Sequence, residues 1–166
     1  MIYVVKSKFN SDITNGLYNG FLEAINENGD DREIKLIDVP GAFDIPGAVS
    51  TIISNENCEI IITLGCVIKG ETDHYHYICD AVANGIMNLT LKSVTPILFG
   101  VLTCQNKKLA LDRSGSDMST NKGYELGKMS KSILLKEKNN DIKIYLSDPK
   151  GSALYNYIKN GELKSE

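Results

Sequence analysis

Four short apolar runs, separated by segments of helical period, constrain this chain more than any other feature. IYVV at 2–5, IKLIDV at 34–39, EIIITL at 59–64 and PILFGVL at 96–102 are continuous rather than alternating. That is the pattern of strands buried on both faces. Between the first two, Ile13, Leu17, Phe21 and Ile25 recur every fourth residue and predict an amphipathic helix that stops near Asn28-Gly29-Asp30. Pro46 suits the first turn of a second helix, with Val49, Ile52 and Ile53 on its buried side. A third helix is expected from about His74 to Leu91, its inner face made of Ile78, Val82, Gly85, Ile86 and Leu89. Strands and helices in strict alternation predict crossovers on a parallel sheet.

Charge and cysteine content narrow the function classes. With 18 basic against 21 acidic residues and a net charge of −3, the chain has no basic field for nucleic acid or an anionic membrane surface. No apolar run approaches the roughly 20 residues of a membrane span. MIYVVKSKFN lacks the pattern of a signal peptide, so a cytoplasmic protein is expected. Cys58, Cys66, Cys79 and Cys104 form no CxxC pair, and only His74 and His76 could join them. Reduced, mostly buried thiols are therefore expected rather than a metal site.

Ligands of a parallel α/β sheet gather at the carboxyl ends of its strands. Four loops follow those ends: residues 7–11, 40–46, 65–73, and the segment from Thr103 onward. In the first, Phe9 is either a stacking platform for a flat ring or a core aromatic closing the sheet. The second, PGAFDIP, fixes its path with two prolines. Its Asp44 is either a helix N-cap or an acceptor for sugar hydroxyls. The third runs through Gly70, Glu71 and Thr72 into a helix, where backbone N–H groups favour an anion, although Thr72 or Asp73 could simply cap that helix. His74 stands beside the same helix start as a candidate acid–base group. His76, two positions on, points to another side and reads as a surface or packing residue. In the fourth loop, Arg113 could pair bidentately with phosphate, or merely favour a helix C-terminus.

In order and spacing, KFN at 8–10, PGAFDIP at 40–46, LGCVIKGETDHYHY at 64–77, FGVLT at 99–103, ALDRSG at 110–115 and NKG at 121–123 resemble the lumazine synthase family. The resemblance implies a flavodoxin-like three-layer α/β/α sandwich around a central parallel four-stranded sheet. It also implies an enzyme of riboflavin biosynthesis needing neither cofactor nor metal. Its reaction condenses 5-amino-6-(D-ribitylamino)uracil with L-3,4-dihydroxy-2-butanone 4-phosphate to 6,7-dimethyl-8-ribityllumazine, releasing phosphate and water. The implied assembly is a homo-oligomer with sites shared between subunits, a pentamer before a decamer or an icosahedral shell, with riboflavin synthase a candidate partner.

Carried over residue by residue, Phe9 stacks on the pyrimidinedione, and Ala42, Phe43 and Asp44 contact the ribityl chain and heterocycle. Cys66, Val67 and Ile68 line the pyrimidine through main-chain groups. Glu71 and Thr72 cradle phosphate, and His74 transfers a proton. Phe99 and Arg113 match residues that the adjacent subunit supplies, Arg113 against phosphate. Lys122 matches a lysine near the ribityl end. The alternative function is a catalytically silent homologue that binds a flavin or acts as a scaffold. A flavodoxin-like electron carrier fits less well, because KSKFNSD is not a Ser/Thr-rich loop for an FMN phosphate.

The chain also departs from the family pattern. Asp44 stands where the family usually has Glu, and His76 where an acidic residue is common. The longer amino-terminal arm of shell-forming members is not matched. The family-like domain is expected to span residues 1–137, its last helix starting at about Tyr124. Residues 138–166 form an extension, with a strand at 141–146, a turn at 147–151 and a short helix around Leu154, Tyr155 and Ile158.

Overall fold

The computed structural model describes residues 1–137, and in them the four apolar runs become the strands of one all-parallel sheet. The strands are β1 (Ile2–Ser7), β2 (Ile34–Val39), β3 (Ile60–Ile68) and β4 (Ile97–Cys104), in spatial order β2-β1-β3-β4. The helices are α1 (Ser11–Glu27), α2 (Ile45–Asn55), α3 (His74–Lys92), α4 (Lys107–Asp112) and α5 (Lys122–Glu137), with a 3₁₀ turn at Ala42–Asp44 ahead of α2. Residues Met1–Leu135 make one compact unit. The strand and short helix expected at 141–158 lie outside the described residues.

Burial on both faces holds for the two central strands and fails at one edge. All of β1 is buried, as are the first seven residues of β3. In β2 only Val39 is buried, and Lys35, Leu36 and Asp38 are exposed. The run IKLIDV has the composition of a core strand, but as an edge strand it is covered less completely. Charged residues along such an edge discourage pairing with a foreign strand.

The period-two alternation of the sheet feeds two cores. Tyr3, Val5, Ile61, Ile97 and Val101 face α2 and α3, meeting Ile45, Val49, Ile52, Val82 and Ile86. Ile2, Val4, Ile60, Ile62 and Leu98 face α1 and α5, meeting Leu17, Phe21, Ile25, Leu126 and Leu134. The result is the three-layer α/β/α, flavodoxin-like sandwich. The inner face of α3 is narrower than expected: Val82 and Ile86 are buried while Ile78, Gly85 and Leu89 are half-buried. Tyr75, 8% exposed, adds a contact that the apolar spacing does not show.

Helix ends fall where local chemistry puts them. Asn28 caps α1 by donating its backbone N–H to the Ala24 carbonyl, and Gly29 follows at φ 61°, a conformation glycine adopts without a Cβ penalty. Pro46 sits in the first turn of α2. Helices α1 and α5 approach almost backbone to backbone: a Cβ on Gly123 would lie 1.8 Å from the Leu17 carbonyl oxygen, and one on Gly127 2.5 Å from Ala24 Cβ.

Candidate active site

In the order β2-β1-β3-β4 the chain leaves β1 to one side for β2 and later returns on its other side as β3. The crevice beyond the carboxyl ends of β1 and β3 is the topological switch point, where open parallel sheets bind ligands. Backbone bonds tie the strand mouths together in two pairs there, β1 with β2 and β3 with β4. The Lys8 N–H donates to the Val39 carbonyl (2.8 Å), the Phe9 N–H to the Pro40 carbonyl (3.1 Å) and the Lys69 N–H to the Cys104 carbonyl (2.9 Å). Asn10 spans the crevice itself. Its backbone is left-handed (φ 58°, ψ 48°), and its Nδ2 donates to the Cys66 carbonyl at 3.0 Å. An αL asparagine ahead of a helix is a recognised use of that side chain, but nothing in KFN announces the bond to Cys66.

Phe9 is 71% exposed, which removes the core alternative and leaves a ring standing at the mouth of β1. Across the β2 mouth Ala42 is buried and Phe43 is 61% exposed. Asp44 does not cap α2 with its side chain. Its carboxylate instead accepts from the Gly41 N–H at 2.9 Å, closing the tight turn that presents Ala42 and Phe43. An N-cap oxygen must reach forward to the second or third helical N–H, whereas this one reaches back.

The end of β3 continues four residues past the expected limit, so Cys66, Val67 and Ile68 are strand residues paired with Leu102, Thr103 and Cys104. Cys66 is 2% exposed, and burial, with Cys104 and Asp12 nearby, pushes its thiol up to about 12. At pH 8 that thiol is un-ionised and a poor nucleophile. Iodoacetamide at pH 8 should therefore leave Cys66 unmodified in the folded protein and modify it after denaturation, as mass spectrometry of the peptides will show.

Glu71, Thr72 and His74 are all exposed in the turn and first residue of α3. Neither Thr72 nor Asp73 caps the helix through its side chain, so both capping expectations give way to a helix start with N–H groups open to a ligand. His76 is exposed and packs edge-on against Tyr75, with ring centroids 5.1 Å apart. Burial raises the pKa of Tyr75, whose hydroxyl lies beside Cys79 and Thr103 under the β4 mouth.

Phe99 and Arg113 occupy other ground. Phe99 is 40% exposed in the middle of edge strand β4, paired with Thr63, five residues short of the end of β3. The chain does not bring it to its own Phe9. Arg113 follows α4, exposed and without a side-chain partner among the described residues. Its charge partly offsets the upward shift that burial gives the Cys104 thiol at the end of β4. Helix α4 is started by Asn106, whose Oδ1 accepts the Leu109 N–H at 3.0 Å. It is tied to the start of α1 by Lys107 and Asp12 (2.6 Å), the ammonium holding that carboxyl below its ordinary range. Lys122 is half-buried, its ammonium 2.7 Å from Glu125, and its backbone N–H donates to the Arg113 carbonyl at 2.9 Å.

The family model for 6,7-dimethyl-8-ribityllumazine synthase matches residues 1–136 of the 166. The chain belongs to the lumazine synthase family. That family places it in riboflavin biosynthesis, among transferases acting on small molecules. No helix among the described residues is long and apolar enough to cross a membrane. Three of the cysteines are buried and Cys79 is half-buried, all with free thiols, and no cluster of His, Cys, Asp or Glu that could hold a metal occurs among the described residues.

Some lumazine synthase motif residues have a structural task here. In NKG, Gly123 admits the Leu17 carbonyl and Asn121 is buried among backbone groups, leaving Lys122 as the member half-open to solvent.

Proposed function

We propose that this chain is a working 6,7-dimethyl-8-ribityllumazine synthase that condenses 5-amino-6-(D-ribitylamino)uracil with L-3,4-dihydroxy-2-butanone 4-phosphate. The observation that carries this reading is an exposed aromatic ring, Phe9, held at the mouth of β1 where the strand order reverses between β1 and β3. The pyrimidinedione stacks on Phe9. Main-chain groups of Cys66, Val67 and Ile68 meet its edge, and Ala42, Phe43 and Asp44 flank the ribityl chain.

The phosphate sits against Glu71, Thr72 and the first N–H groups of α3, where a helix N-terminus favours an anion. The ring amine attacks the ketone carbonyl, and loss of water gives the imine. Phosphate then leaves, and closure of the second ring releases a second water. His74 moves a proton between nitrogen, carbon and the departing oxygens. No bond to the protein forms, so most of the acceleration comes from holding two reactants together. His74→Ala is therefore expected to slow turnover about 100-fold or less, and steady-state rates across the pH range will show this. An undiminished rate at every pH would place the proton elsewhere.

The site draws on two subunits. Phe99 and Arg113 serve the neighbour, Arg113 gripping phosphate, with Lys122 near the ribityl end. A contact of this head-to-tail kind closes into a ring, which we take to have five members. Purified protein given both substrates should develop lumazine absorbance together with free phosphate. An oligomer that leaves both substrates unchanged would overturn the proposal, and ligand binding without turnover would favour a silent flavin-binding or scaffold role.

A further inference from the structure

We propose that Asn121 is a positioning residue that fixes Arg113 and Lys122 as one rigid cationic pair and so sets affinity for the phosphorylated substrate. This rests on the site reading given above. Asn121 is 2% exposed, yet its amide is fully used. Its Nδ2 donates to the Gly115 carbonyl at 2.8 Å and to the Gly16 carbonyl at 3.2 Å, and its Oδ1 accepts the Tyr124 N–H at 3.1 Å. One side chain thereby joins the loop after Arg113, the middle of α1 and the first turn of α5. Its own N–H donates to the Asp117 carbonyl, closing the turn that returns the chain to α5.

The consequence falls on the two cations. The Lys122 N–H donates to the Arg113 carbonyl at 2.9 Å, so the residues at the two ends of this loop are held directly together. Ser114, between Arg113 and the loop, is buried, its Oγ donating to the Ala110 carbonyl at 2.9 Å, and a Cβ on Gly16 would lie 2.1 Å from its backbone oxygen. Loop 113–121 is thus seated on α1 rather than free above it. Without the Asn121 amide, the Gly115 and Gly16 carbonyls lose their shared donor. Arg113 then keeps its charge but not its fixed station.

The test is a comparison of Michaelis constants for the two substrates in Asn121→Ala, Gly20→Ala, Arg113→Ala and Leu134→Ala. Gly20→Ala disturbs the same device from α1, since the added Cβ would lie 2.3 Å from Asn121 Oδ1. Leu134→Ala weakens the α5 core at a distance from the loop. Asn121→Ala and Gly20→Ala are each expected to raise KM for the phosphorylated ketone about tenfold or more. KM for the pyrimidinedione, whose ribityl end meets Lys122 in the proposed site, should rise by a clearly smaller factor, and Leu134→Ala should move neither. Unchanged constants in both loop variants, or a parallel rise for both substrates, would make Asn121 a fold residue only and overturn the inference. If Asn121→Ala does not fold, Gly20→Ala decides alone. Arg113→Ala separates the two levels: no effect there would instead overturn the site reading on which the inference rests.

Discussion

Arg113→Ala should raise KM for the phosphorylated ketone about 100-fold or more, because a bidentate guanidinium supplies two charge-assisted hydrogen bonds of about 1.5–3 kcal/mol each. KM for the pyrimidinedione should change roughly twofold at most, since in the proposed site that ring meets Phe9 and the end of β3 instead. The residue suits this experiment because its side chain is exposed and has no partner among the described residues. Its removal leaves no orphaned group in the fold. Arg113→Lys keeps the charge but loses the planar fork, and an intermediate KM is expected. Steady-state titration of each substrate at saturating levels of the other provides the check. Equal weakening towards both would show that Arg113 supports the assembly rather than the phosphate.

The largest effect on stability is expected from Gly123→Ala. The added carbon would lie 1.8 Å from the Leu17 carbonyl oxygen and 2.6 Å from its carbon, both backbone atoms inside α1 that cannot rotate away. Helices α1 and α5 must separate, opening the core around Leu17, Phe21 and Leu126. Overpacking of this kind costs about 3 kcal/mol, at the upper end of its usual range. For a domain of this size that corresponds to a fall in Tm of about 10 °C. Gly47→Ala is the internal control, because a Cβ there meets nothing within 4 Å. Thermal unfolding of both variants should separate them clearly, and equal Tm values would refute the close approach of α1 and α5.

What was legible in the sequence was whatever local pattern determines. Continuous apolar runs located all four strands, and the four-residue stripe from Ile13 to Ile25 located α1 and its buried face. The β2 edge was harder, because IKLIDV carries the same composition whether a neighbour covers it or not. Edge position is set by strand order, a long-range property. The bond from Asn10 to Cys66 and the seating of Asn121 on Gly16 and Gly115 were not legible for the same reason. They join residues far apart in the chain, and only the folded arrangement creates their partners. Phe9 is the reverse case. Its position at a strand mouth was readable, but its exposure, which separates a platform from a core ring, needed the fold.

The claim that two subunits build each site is tested most directly by mixing two crippled chains. Phe9→Ala loses the proposed stacking platform, such platforms being worth about 1–3 kcal/mol per base, and Arg113→Ala loses the proposed phosphate partner. Co-expressed in equal amounts, they should assemble with their defects distributed at random around the proposed ring. A site taking Phe9 from one subunit and Arg113 from the next is then intact in about a quarter of cases. Lumazine formation by the mixed oligomer should therefore rise well above that of either parent, towards about one quarter of the unmodified rate. Activity equal to the mean of the two parents would contradict the account, because sites complete within single subunits cannot be restored by mixing.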